Sequence, residues 1–135
     1  MNIYTSYFAK VKQLQESGFS NLVCVAGYAP KFFYDTPNAR FYPDLAPKRC
    51  WWRVWHDKFK DNLNSTESIE WYTNIYCDTV LSKLNPEKVV EDLGDNAVML
   101  CYEKPGDFCH RHIIADWLHK NTGIEVKEVS LINNQ

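Results

Sequence analysis

Apolar residues along the chain follow two kinds of spacing. Continuous apolar runs at residues 22–26 and 97–101 are typical of strands buried on both faces of a sheet. Short apolar or alternating patterns predict a first strand at 3–5 and a last strand at 125–130. Apolar residues three and four positions apart predict helices. We place these helices at residues 8–17, 51–61, 65–84, 86–93 and 108–121.

Helix boundaries are marked by capping residues and by glycine. Ser6 and Asp107 stand where the N-caps of the first and last helices are expected. Pro86 suits a first helical position, because that residue needs no backbone N–H partner. Gly18 and Gly94 follow the last apolar position of two helices, where a glycine commonly ends the helix.

The predicted strands alternate with the predicted helices along the chain. Such alternation indicates an α/β fold in which a parallel sheet is covered by helices on both faces. Right-handed crossovers then favour a small, doubly wound sheet of about four strands. A chain of 135 residues without a linker or an internal repeat predicts a single domain, residues 1–135.

Residues 28–59 differ from the rest of the chain in composition. They hold ten of the twenty aromatic residues, with basic residues interleaved, and four prolines that disfavour long regular structure before residue 49. Stacking surfaces beside cations are typical of sites that bind nucleobases and phosphates. This aromatic–basic segment is therefore expected to line or cover a cleft, or alternatively to fill the core under an irregular loop.

Charge and cysteine content narrow the classes of function. Fifteen basic residues against seventeen acidic ones give no general attraction to nucleic acid, so any polyanion contact must be local. The five cysteines are widely spaced, no signal-peptide pattern opens the chain, and no apolar run is long enough to span a bilayer. We expect a reduced, cytoplasmic protein that makes no membrane contact.

Ligands of open parallel sheets bind at the carboxyl ends of the strands. That rule selects three segments of this chain, which follow the first, second and third predicted strands. The candidate ligand-binding residues from the first two segments are Thr5, Ser6, Tyr7, Gly27, Tyr28 and Lys31. The third segment, residues 101–111, is the richest in chemistry.

The last helix is expected to open with cations in its first turn. His110, Arg111 and His112 would stand at the positive end of the helix dipole, where acidic residues are usual. A bound anion such as phosphate would explain this arrangement, with Lys104 as a second cation. The alternative is that Arg111 pairs with Glu103 or Asp107 and that nothing binds.

Three residues are candidates for catalysis. Glu103 follows a buried strand and precedes a Pro-Gly loop, so it could serve as acid, base or nucleophile, or lie on the surface paired with Lys104. Cys109 would be a thiolate nucleophile or a small packed residue. His110 would be the partner of Glu103 or a hydrogen-bonded core residue. Cys101, Cys109, His110 and His112 could together form a zinc site, but His110 and His112 point about 200° apart on a helix and the chain has no C-x2-C pair. We therefore expect no metal and no cofactor.

A family resemblance rests on the same segment. Residues 101–118 closely resemble the C-x-E-(x)-C-H-R-x-x-(I/L)-A signature of an uncharacterised bacterial and phage family, the domain of unknown function four-eight-eight. The matching residues are Cys101, Glu103, Cys109, His110 and Arg111. Residues 3–6 resemble the first strand of that family, and residues 27–30 and 45–48 resemble segments of a short, phage-type branch. Where most relatives have an Arg-rich segment after the second strand, this chain has Ala29-Pro30-Lys31-Phe32. The resemblance implies a Rossmann-like α/β sandwich and brings no settled activity.

These features together predict a cleft that binds a nucleotide-like or other phosphate-bearing small molecule. Hydrolysis or glycosyl transfer would follow, with Glu103 as acid, base or nucleophile. The alternative is a non-catalytic phage protein that sequesters a host nucleotide signal in the host cytoplasm. Nucleic-acid binding through the aromatic–basic segment is a weaker alternative, and a homo-oligomer stays open.

Overall fold

A computed structural model describes residues 1–103 and 107–131. Its strands are β1 (Ile3–Tyr7), β2 (Leu22–Cys24), β3 (Ala39–Phe41), β4 (Ala97–Cys101) and β5 (Val126–Glu128). Its α-helices are α1 (Val11–Glu16), α2 (Arg49–Phe59), α3 (Thr66–Thr79), α4 (Pro86–Leu93) and α5 (His110–Thr122). Four short 3-10 turns, Phe8–Lys10, Lys31–Asp35, Pro43–Leu45 and Leu81–Lys83, complete the described elements.

The five strands form one parallel sheet in the order β3-β2-β4-β1-β5. In the centre, β4 pairs with β1, Ile3 lying opposite Ala97, and with β2, Leu22 lying opposite Val98. The predicted α/β fold with a Rossmann-like parallel sheet is confirmed, with five strands instead of about four. The additional strand is β3, which is only three residues long and lies inside the proline-containing segment.

Alternate residues of the central strands pack into two apolar clusters. In β4, Met99 faces the larger cluster, under α2 to α5, and Leu100 faces the smaller one, which includes Leu14 of α1. All five residues of β4 are buried. The continuous apolar run at 97–101 thus reflects a strand with helices on both sides.

Two predicted helix starts differ from the structure. Ser6 is a buried residue of β1 rather than a helix cap, because β1 extends to Tyr7 alongside β4. Asp107 is not the cap of α5, whose N-cap is Cys109 and has no side-chain cap hydrogen bond. Asp107 instead accepts a 3.3 Å hydrogen bond from the side chain of Asn64.

The strand order reverses between β2 and β4. The chain leaves β2 towards β3 on one side of the sheet and leaves β4 towards β5 on the other side. Such a reversal opens a crevice beyond the carboxyl ends of the two strands. Within residues 1–103 and 107–131, none of the helices has the length and apolar character needed to cross a bilayer.

Candidate functional site

A cleft of about 820 Å³ lies beyond the carboxyl ends of β2 and β4. Gly27 and Tyr28, which follow β2, lie on one side, and Cys101 and Glu103, from the end of β4, lie beside them. The start of α5 closes the base with Cys109 and His110. We call Cys101, Cys109 and His110 the cleft floor. All three are buried.

Helix α2 also lines the cleft. Arg49, Trp52, Arg53 and His56 all line it, and we call these four residues the cleft wall. The rings of Trp52 and His56 stack with centroids 5.0 Å apart and planes 14° apart. Both arginines are exposed residues, so the wall presents aromatic surface and positive charge to the cleft.

The cleft wall exists because α2 is amphipathic. Its other face carries Trp51, Trp55 and Phe59, four residues apart, all buried in the larger cluster. The indole N–H of Trp55 donates a 3.0 Å hydrogen bond to Ser68 Oγ of α3, which fixes the roll of the helix. The arginines are thereby directed away from the core.

The sulfur atoms of Cys101 and Cys109 are joined by a disulfide in the structure. This pairing differs from the reduced state expected for all five cysteines. Cys24, Cys50 and Cys77 are free thiols. One ring nitrogen of His110 and the two sulfurs lie within 4.8 Å of one another, which makes a compact group of soft donors on the cleft floor.

His110 is a neutral, oriented histidine. Its Nε2 lies 2.6 Å from the backbone oxygen of Val25, and its Nδ1 lies 3.9 Å from Cys109 Sγ. Burial lowers the pKa of His110 to about 4, and the positive charge of Arg111 adds to that effect. The imidazole therefore carries no charge at neutral pH.

Arg111 is fully buried beneath the cleft floor rather than exposed to the cleft. Its Nε and one terminal nitrogen each donate a 3.1 Å hydrogen bond to the Glu128 carboxylate. The other terminal nitrogen donates to Cys101 Sγ at 2.9 Å and to the Glu103 backbone oxygen at 2.6 Å. Arg111 was expected to contact an anion in the cleft. In the structure its side chain is buried and its charge is balanced by Glu128. The alternative of an internal pair is realised, though with Glu128 instead of Glu103 or Asp107.

Glu103 lies at the mouth of the cleft as an exposed residue. Nevertheless, the pKa of its carboxyl is raised, because nearby protein atoms partly remove it from water, and Arg111 offsets only part of this effect. Its backbone oxygen is held by Arg111. The strand end is therefore anchored at the point where Glu103 lines the cleft.

Asn64 ties the start of α5 to the chain between α2 and α3. Its side-chain oxygen accepts a 2.8 Å hydrogen bond from the backbone N–H of Phe108. The Phe108 ring packs edge-on against Trp55 and Tyr72, with centroids 6.0 and 4.9 Å away. These contacts fix Cys109, the next residue, relative to the aromatic core.

The remaining predicted ligand-binding residues lie in different places. Thr5 and Ser6 are buried in β1, and Thr5 donates a 2.6 Å hydrogen bond to Glu128. Tyr7 packs beneath Arg111, with the guanidinium carbon 5.8 Å from its ring centroid. Lys31 begins a 3-10 turn outside the residues that line the cleft. Lys104 lies outside the described residues.

The cleft wall is the part of the site that the carboxyl-end rule does not select. Arg49, Trp52, Arg53 and His56 are spaced i, i+3, i+4 and i+7, which places them on one face of a helix. This spacing, opposite an aromatic stripe at Trp51 and Trp55, is a signal present in the sequence. All four residues also fall within the aromatic–basic segment 28–59, which was expected to line or cover a cleft. Because the rule considers only strand ends, it selects no residue of a helix that packs over them.

Comparison with known proteins identifies the family. The family model described as "Active DUF488-N3 subclade" matches residues 6–122 of the 135. No curated protein and no solved structure matches the chain. The matched range includes the last two residues of β1, all of β2 to β4, the cleft wall, the cleft floor and all of α5. The chain therefore belongs to the DUF488 family.

Proposed function

We propose that the cleft binds a nucleotide-like, phosphate-bearing small molecule and that Glu103 acts on it by hydrolysis or glycosyl transfer. The observation that carries this proposal is the cleft itself. At the switch point of a parallel sheet, its lining combines two arginines, a stacked pair of rings and the residue Glu103. Each part matches one part of such a ligand.

The phosphate would bind at the cleft wall. Arg49 and Arg53 lie one helical turn apart, and within the described residues neither guanidinium forms an ion pair. A forked guanidinium matches the geometry of phosphate oxygens. Arg49 is also the first residue of α2, where the helix dipole disfavours a cation unless an anion is near.

A base or other flat ring would bind against aromatic surface. Tyr28 is an exposed aromatic at the cleft edge, and its ring centroid lies 5.4 Å from that of Tyr102. Trp52 is a second aromatic residue in the lining of the cleft. Stacking on such rings stabilises a bound base by roughly 1–3 kcal/mol.

Glu103 is the carboxyl group placed for chemistry. It reaches the cleft from a strand end, so it can protonate a leaving group, deprotonate a water molecule or attack an anomeric carbon. His110 is held by the oxygen of Val25. We therefore propose that His110 positions the cleft floor rather than sharing the proton transfer.

A thermal-unfolding screen with AMP, cyclic di-AMP and ADP-ribose tests the proposal. A compound present at 100 times its dissociation constant adds about 2.7 kcal/mol to the free energy of unfolding. We expect Arg53→Ala to reduce this gain and Lys60→Ala, an exposed cation at the end of the same helix, to leave it unchanged. The proposal is wrong if no phosphate-bearing compound stabilises the protein, or if both variants behave alike.

A further inference from the structure

We propose that the reduced cleft floor is a zinc site formed by Cys101 Sγ, Cys109 Sγ and His110 Nδ1. The three donor groups lie within 4.8 Å of one another, and all three residues are buried. Two sulfurs and one imidazole nitrogen are a donor set that Zn²⁺ prefers. His112, which points away on the helix, is not needed for this set.

The hydrogen bond of His110 prepares its other nitrogen for a metal. A backbone carbonyl can only accept, so the Nε2 atom 2.6 Å from the Val25 oxygen must carry the proton. The lone pair is then on Nδ1, the nitrogen that faces Cys109 Sγ at 3.9 Å. Metal-binding histidines are commonly oriented in this way, by donating their second N–H to a backbone oxygen.

Arg111 provides the matching support for Cys101. Its guanidinium donates to Cys101 Sγ at 2.9 Å and is itself fixed by two hydrogen bonds to Glu128. A buried cation that donates to sulfur favours the thiolate, which is the form that ligates a metal. Two thiolates also balance the charge of one Zn²⁺ ion.

The backbone holds the two cysteines further apart than is usual for a disulfide-bonded pair. Their Cα atoms are 7.3 Å apart, beyond the range of about 4.4–6.8 Å that is usual for disulfides. Zinc binding requires the disulfide to be opened first. A phosphine reductant and one water molecule convert it into two thiols and a phosphine oxide, and Zn²⁺ then displaces the two thiol protons.

An ion in this position would have one coordination site open to the cleft. Three protein ligands and a free fourth position are typical of catalytic rather than structural zinc. All three ligand residues line the cleft, so the free position faces the space in which we place the phosphate-bearing ligand. A catalytic use of the ion rests on the proposed function, but its binding does not.

Titration of the phosphine-reduced full chain with Co²⁺, followed by competition with Zn²⁺, tests the site without any nucleotide. We expect one ion per chain, a sulfur-to-cobalt charge-transfer band and the intense visible bands of tetrahedral Co²⁺. Cys109→Ser should weaken binding by more than about 100-fold, a larger effect than the loss of an outer-shell partner. Cys77→Ser, which removes a free cysteine that is not part of the donor group, should bind as the unaltered chain does.

Circular dichroism of each variant establishes that it is folded, and His110→Gln gives a second removal of a ligand. The inference is overturned if the reduced chain binds no Co²⁺, or if Cys109→Ser and Cys77→Ser bind it equally well. Because the probe is the metal alone, the reduced chain can fail to bind Co²⁺ while a nucleotide still stabilises the protein. Equally, it can bind Co²⁺ when no nucleotide stabilises it.

Discussion

The floor and the wall of the cleft are built in opposite ways. The cleft floor is buried, and within the described chain every buried side-chain nitrogen and oxygen has a hydrogen-bond partner. The cleft wall carries exposed arginines and a half-buried Trp52 on a helix whose other face is core. Floor residues are therefore held in place by the fold, whereas wall residues lie at the surface, where a ligand can reach them.

The largest change is expected for Glu103→Gln, at the mouth of the cleft, which both the floor and the wall adjoin. With a substrate found in the ligand screen, we expect turnover to fall by roughly 10²–10⁴-fold, because proton transfer by a positioned group contributes about that much. The dissociation constant should stay nearly constant, since the amide keeps the shape of the carboxyl. Steady-state kinetics and calorimetric titration of the same preparations separate the two effects. Equal losses of turnover and of affinity would show that Glu103 binds the ligand instead of acting on it chemically.

Removal of the Arg111 side chain should lower the free energy of unfolding rather than the affinity for a ligand. Arg111→Met leaves the partly buried Glu128 carboxylate without its cation, and breaking such a pair costs about 3 kcal/mol. Urea unfolding measures this loss. Lys127→Met, which removes an exposed cation on the neighbouring strand residue, should cost less than about 1 kcal/mol. Similar losses in the two variants would contradict the burial assigned to Arg111.

The wall should show the reverse behaviour. Trp52→Ala is expected to weaken binding of a stabilising nucleotide by about 1–3 kcal/mol through loss of stacking. Tyr34→Ala, an exposed aromatic of the aromatic–basic segment that lies outside the cleft, is the matched control. Calorimetric titration measures the affinity of both variants for the nucleotide. A larger loss of affinity in Tyr34→Ala than in Trp52→Ala would show that the cleft wall does not bind the ligand.

The smallest change is expected in the loss of stability at acidic pH. Burial opposes ionisation of Glu128, but hydrogen bonds from Arg111 and Thr5 outweigh it and lower the pKa of its carboxyl. The stabilisation of the fold by the ionised Glu128 carboxylate is therefore complete above the unfolded-state pKa of about 4.3. It is lost as pH falls through the folded-state pKa of Glu128. Glu128→Gln should flatten this acid loss in urea unfolding measured across pH. If the free energy of unfolding falls with acid equally in Glu128→Gln and in the unaltered chain, Glu128 is not the source of the acid loss.

The sequence predicted the fold better than the roles of individual site residues. The apolar run at 97–101 and the Pro86 helix start appear in the structure at the predicted positions, because both depend on local spacing. The destination of Arg111 depends on Glu128, seventeen residues later, in a strand that joins the sheet beside β1. No local pattern encodes that long-range contact.

The grouping of the cleft floor was also beyond local reasoning. Cys101 ends a strand and Cys109 precedes a helix, and only the packing of α5 beside the strand end brings their sulfurs together. The position of the cleft wall depends in the same way on how α2 packs against α3. The sequence identified these residue types and the sheet edge, while tertiary packing selected among them.

A titration of ADP-ribose into ¹⁵N-labelled protein, followed by amide chemical shifts, tests whether the cleft binds a phosphate-bearing ligand. We expect saturable shifts concentrated after β2, along the wall face of α2 and at the end of β4, at residues 26–28, 49–56 and 101–103. Shifts confined to the far edge of the sheet near Lys127, or no shifts with any of the three nucleotides of the screen, would contradict it.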